Sequence, residues 1–193
     1  MLGDALLTLL LVVLNGFFVA AEFAIVKVRH SQIDLKASQG SSVAKISKHI
    51  LERLDAYLSA SQLGITLASL ALGWIGERVV ANLVIVSMTK LGYNADPATA
   101  HSIAIPIAFS LITVLHIVLG EQVPKTAAIR NPLTTTLLVS VPMRVFFVLF
   151  SPFIWALNGL SILTLRLFGL SAGDHSDIHT EEELRMILTE SEE

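Results

Sequence analysis

Residues 5–26 read ALLTLLLVVLNGFFVAAEFAIV, and the fold is decided there. A helix needs about 20 apolar residues to cross the hydrocarbon core of a bilayer. This run supplies them, with Glu22 as its one charge. A secretory signal opens on a basic segment and stops at a small-residue cleavage site; this run follows Asp4 and meets no such site. It is expected to stay in the membrane as a helix. Two further stretches behave alike. Leu58 to Ile75 is apolar and continues past Glu77 and Arg78 to Met88, and Ser102 to Leu119 holds no Asp, Glu, Lys or Arg. The whole chain agrees: of 193 residues 15% are charged, against about a quarter in soluble domains. The expectation is an all-α polytopic membrane protein with three transmembrane helices, at about residues 3–28, 57–89 and 100–129.

Charge sets the expected orientation. Between the first two spans lie Lys27, Arg29, Lys36, Lys45, Lys48 and Arg53, whereas residues 91–100 carry Asp96 and no Lys or Arg. Cytoplasmic loops are the basic ones, so the N-terminus is expected outside and the chain beyond the third span inside, in a cell membrane. The basic stretch, residues 30–55, reads as helices beside the membrane. It either meets anionic lipid head groups or forms a solvated hairpin.

Residues 132–170 are apolar but interrupted by Pro142, Pro152 and Gly159, and they carry Arg144 and Arg166. Proline breaks or kinks a helix. One reading is a fourth, broken span; the other is a belt of juxtamembrane helices along the inner interface, which Arg144 and Trp155 favour. Composition changes at Gly173. Thr180 and Glu183 form a capping box ahead of Leu184, Ile187 and Leu188. Residues 1–172 are thus expected to form the membrane domain, and residues 173–193 to begin an acidic cytoplasmic linker helix. A net charge of −3 offers nucleic acid no footprint. The absence of cysteine excludes thiolate chemistry. No nucleophile–base pair or metalloprotease motif appears, so no enzyme is expected.

Polar groups inside a span are costly, about 2.5–3.5 kcal/mol for a charge at the centre, and so face a partner, a cavity or a pathway. Three clusters qualify. Asn15 and Glu22, seven residues apart, share a face of the first helix; the plainer reading is an interhelix amide and an interfacial carboxylate. The second helix carries Ser61, Gln62, Thr66 and Ser69, with Gly64 and Ala68 spaced for close helix packing. Packing within the protein or a dimer seam would both use that spacing. The third cluster is Gly120-Glu121-Gln122-Val123-Pro124-Lys125. Pro124 lacks an N–H, so the Gly120 carbonyl loses its usual donor and lies beside the Glu121 carboxylate. The plainer reading is a proline-kinked helix end with Glu121 paired to Lys125. Glu22 and Glu121 each fall about 10 Å to the cytoplasmic side of their helix midpoints. All these donors are oxygens, which suits Mg²⁺, Na⁺ or Ca²⁺ rather than zinc or copper. His116, the one histidine in a span, reads as a packing residue more than as a ligand.

Three motifs in order, Asn15 to Ala24, Leu58 to Trp74 and Gly120 to Lys125, resemble the DUF21 transmembrane domain of the CorC/CNNM family of magnesium transporters. The resemblance covers roughly residues 1 to 190. It implies a homodimer, three spans per protomer with a juxtamembrane belt, and Mg²⁺ export coupled to Na⁺ entry. It implies an ion site from Asn15, Ser61 or Ser69, Gly120 and Glu121, with Glu22, Gln62, Pro124 and Lys125 in support. Some branches of the family replace Glu22. It further implies cytoplasmic CBS modules that bind ATP; residues 173–193 resemble the linker toward them, and ATP would act only through such modules. A membrane Mg²⁺ sensor or scaffold without net flux would use the same residues.

Overall fold

The structure, a computed structural model, describes residues 2–92 and 96–168. Among these there is helix and no strand: α1 (Leu2–Lys27), α2 (His30–Ser38), α3 (Ser42–Leu51), α4 (Leu54–Lys90), α5 (Pro97–Leu115), a π-helical segment (His116–Gln122), α6 (Val123–Arg130) and α7 (Pro132–Leu167). In hydrocarbon every backbone polar group must be satisfied within its own segment, which makes apolar runs of this length helical. The ends are written locally. Asp96 caps α5 by accepting from the Thr99 N–H at 3.1 Å, with Pro97 in the first turn. Ser41 accepts from the Ala44 N–H to cap α3. Beyond α2 and α4 stand Gly40 (φ 94°) and Gly92 (φ 84°), left-handed positions that close a helix at little cost to glycine.

Four helical stretches are long and apolar enough to cross a membrane: Gly3–Lys27, Leu54–Lys90, Ala98–Arg130 and Pro132–Leu167. The chain is a multi-pass membrane protein, all-α as expected. The count of three differs. The segment expected to be a belt of interrupted helices is one helix, α7, which passes through both Pro142 and Pro152. Each proline removes one ladder hydrogen bond but need only kink a helix whose flanking turns are held by packing. Here Val139, Met143 and Ile154 are buried around the two prolines.

Residues 1–154 and 155–193 form two compact units. The core of the first gathers Phe18, Ala21 and Ile25 of α1, Ile33 of α2, Ile50 of α3, Tyr57 and Leu63 of α4, and Val139 and Met143 of α7. Tyr57 stacks on Phe147 at 4.4 Å between ring centroids, and Phe18 meets Phe146 at 4.6 Å. A buried hydroxyl pair, Ser47 and Ser140 at 2.7 Å, ties α3 to α7. Gly64 and Ala68 are buried, with Gly64 against the Phe18 ring. At Gly64 this small-residue face is therefore occupied by α1 of the same chain. Of the second unit the structure describes the last turns of α7, through Phe168. The expected linker at residues 173–193, with its capping box, lies outside the described residues.

Candidate functional site

α4 runs antiparallel to α1, and the contacts order three levels along them. At one level Gly76 faces Thr8 and Ile112. At the next Ser69 meets Asn15 and His116. At the third Gly64 faces Phe18. The middle level falls close to the centres of α1 and of the stretch Ala98–Arg130, and it is where the polar groups converge.

Asn15 is 1% exposed. Its Nδ2 donates to the Gly120 carbonyl at 2.9 Å, and its Oδ1 accepts from the Ser69 hydroxyl at 3.0 Å. Ser69 Oγ also lies 3.3 Å from His116 Nε2. Directions follow from the donor inventory. A carbonyl only accepts, so the Asn15 amide must turn its nitrogen to Gly120 and its oxygen to Ser69. Serine has one proton, committed here to Asn15, so His116 must donate from Nε2. The result is a directed chain from His116 through Ser69 to Asn15, beside the bond from Asn15 to Gly120. It joins α1, α4 and the π segment.

Glycine is required for this approach. A Cβ on Gly120 would stand 2.9 Å from His116 Cδ2 and 3.3 Å from Asn15 Nδ2. One turn on, a Cβ on Gly16 would stand 2.8 Å from Pro124 Cγ and 3.3 Å from the Leu119 carbonyl. The proline that deprives Gly120 of its ordinary donor is thus also the group that α1 packs against. π turns inside α-helices concentrate at functional sites, and this one presents a backbone oxygen to a neighbouring helix.

The structure unites Asn15, Ser69 and Gly120 and separates the other expected members. Ser61 is fully buried and donates to Tyr57 O of its own helix at 3.0 Å, two turns from Ser69. Gln62 is exposed, and its backbone carbonyl accepts from Thr66 at 2.8 Å. Glu121 follows the buried Gly120 but is exposed, and Glu22 is half-buried. Lys125 does not pair with Glu121; its Nζ sits 4.5 Å above the Phe23 ring, a cation–π contact. His116 is a member that the sequence undervalued. The available signal was its spacing, four residues ahead of Gly120 and so on the same face. Beside the chain lies a cavity of about 200 Å³ lined by Ser69, Leu72, Gly73, Glu77, Phe109, Ile112, Thr113 and His116. No group of three His, Asp or Glu able to hold a metal occurs among the described residues. What the site offers is neutral oxygen: an amide, a hydroxyl and a carbonyl.

Residues 6–193 match the cyclin M transmembrane N-terminal domain. The chain belongs to the CNNM family. Relatives of the chain include the UPF0053 protein YhdT of Bacillus subtilis, 46% identical over 182 residues, which are 94% of this chain and 39% of that protein. The UPF0053 protein YrkA of the same organism is 45% identical over 183 residues, 94% of this chain and 42% of the relative. An uncharacterized protein of Mycobacterium tuberculosis, Rv1841c, is 37% identical over 191 residues, 98% of this chain and 54% of the relative. This CNNM domain therefore spans about two-fifths of the length of the first two relatives.

Proposed function

We propose that this domain carries Mg²⁺ across the membrane, exporting it from the cytoplasm in exchange for entering Na⁺. The observation that supports the reading most is the Asn15–Gly120 hydrogen bond beside Ser69, at the middle of three apolar helices. Secondary transporters hold ions where helices depart from α geometry near mid-membrane, and the π segment is such a departure. Asn15 Oδ1, Ser69 Oγ and Gly120 O are the ligand candidates of this site. A cation entering among them replaces hydrogen bonds by coordination: the Asn15 amide releases Gly120, and Ser69 turns its proton away. Neutral donors suit an ion that keeps part of its water, as Mg²⁺ does. Glu121, next along the chain, supplies charge on the approach.

The basic connection between α1 and α4 is assigned to the cytoplasm on its lysines and arginines, with the N-terminus outside. Family membership supports assembly as a homodimer, and nucleotide control, where present, acts through modules outside this sequence. The domain is a transporter and not an enzyme.

The test is Mg²⁺ flux into vesicles bearing the purified protein. Asn15→Ala, Ser69→Ala and Glu121→Gln should each abolish or strongly slow flux, while Ser61→Ala should leave it near wild type. Mg²⁺ binding by calorimetry without flux in the wild type would replace transport by sensing. Neither binding nor flux would reject both.

A further inference from the structure

The cavity beside the central site holds a carboxylate that the transport reading does not use. Glu77 lies eight residues beyond Ser69 on α4, about 12 Å along the axis, at the level where Gly76 meets Thr8 and Ile112. It is partly buried and lines the cavity of about 200 Å³ with Ser69, Gly73, Thr113 and His116. Glu121 departs in the other direction, toward the level of Pro124 and Gly16. The Asn15–Ser69–Gly120 contact therefore lies between two carboxylates that depart from it in opposite directions along the helices.

No hydrogen bond or ion pair to the Glu77 carboxylate is present among the described residues. The adjacent Arg78 lines a different cavity, of about 450 Å³, with Asp4, Trp74 and Asn82. A carboxylate within a span costs about 2.5–3.5 kcal/mol at the centre unless a partner or water receives it. Here it lines a space of about 200 Å³, roomy enough for water, together with Thr113 and Ser69.

We propose that this cavity is a second cation chamber, in which a hydrated metal cation rests on the Glu77 carboxylate on the α4–α5 connection side of the central contact. The proposal rests on the transport reading for its purpose, since it gives the ion a station beyond the central site. The Thr113 and Ser69 oxygens, whose protons go to Phe109 O and Asn15 Oδ1, accept from the water shell, and the buried Leu72 and Ile112 form the apolar wall.

The sequence contains no cysteine, so a single introduced thiol reports the chamber directly. Gly73 lines it, and a Cβ there meets nothing within 4 Å; Thr113→Cys is the second reporter. In lipid vesicles, Gly73→Cys is labelled from the α4–α5 side by a cationic and by an anionic thiosulfonate of similar size. The cationic reagent should react faster, Mg²⁺ should slow it, and Glu77→Gln should lower the cation-to-anion ratio about tenfold, since a charge one helical turn away, about 6 Å, shifts the two reagents about threefold each in opposite senses in water. A ratio unmoved by Glu77→Gln, or no labelling at either position, overturns the chamber. Mg²⁺ flux on the same vesicles keeps the two readings apart. Flux without a Glu77 effect rejects the chamber alone, and a Glu77 effect without flux rejects transport alone.

Discussion

Gly64 lies against the ring of Phe18 so closely that a Cβ built on it would stand 2.5 Å from the ring carbons Cδ1 and Cε1. The pair joins α4 to α1, and Phe18 in turn packs on Phe146 of α7. Gly64→Ala must displace a ring held on two sides, and overpacking of this kind costs about 1–3 kcal/mol. Gly73→Ala meets open space and should be neutral or stabilising by up to about 1 kcal/mol, the helix preference of alanine over glycine. Thermal melts in detergent of the two variants side by side check the prediction; equal loss would mean that helix flexibility, not the ring, sets the requirement.

Removing the Asn15 amide strips the Gly120 carbonyl and the Ser69 hydroxyl of a shared partner. Interhelical hydrogen bonds of this type are worth about 1–2 kcal/mol in membrane peptides, so Asn15→Ala should destabilise by about that amount. The coupling is testable by a double-mutant cycle with Ser69→Ala. If the chain from His116 to Asn15 is real, the two losses fall short of additivity by about 0.5–1.5 kcal/mol. Full additivity would show that the two side chains do not bond.

Thr136 Oγ1 is buried on α7 without a hydrogen-bond partner among the described residues. A buried hydroxyl in that state is unfavourable, and valine has nearly the same shape. Thr136→Val should therefore stabilise by about 1 kcal/mol, read as a raised melting temperature with unchanged helix content. A loss would mean that the hydroxyl is bonded to water.

Asp96 outside the spans caps α5, and the Thr99 hydroxyl and N–H hold its carboxyl below the ordinary 3.8. A depressed folded value means stability present above the unfolded value and lost as pH falls through the folded one. Asp96→Asn retains a capping oxygen but no charge. Its melts should match wild type less closely at neutral pH than at strongly acid pH, where the difference closes. A difference that does not vary with pH would exclude the ionised cap as its source.

The elements were legible because hydrocarbon leaves an apolar run few options. The freed Gly120 carbonyl was legible too, from Pro124 alone, but its acceptance of Asn15 was not, since that bond joins residues 105 apart. The continuity of α7 was not legible, because Pro142 and Pro152 signal a break, whereas burial of Val139 and Met143 holds the axis through it. Ser61 and Ser69 looked equivalent because both suit one face of α4; only the tertiary contact decides that Ser69 reaches α1. His116 was undervalued because a lone histidine gives no pattern until the helix that it bonds is placed.

A single π turn adds one residue to what is otherwise an α-helix, and one residue is about 100° of rotation and 1.5 Å of rise. The stretch His116–Gln122 therefore fixes the spacing of everything after it. Deleting one residue there, such as Val118, removes no polar side chain named above but turns Gly120 and Glu121 by that same step against His116. It also swings Pro124 off Gly16 and Lys125 off Phe23. Between homologous chains, a one-position gap within this segment would matter more than many substitutions around it, because it erases a phase rather than a residue.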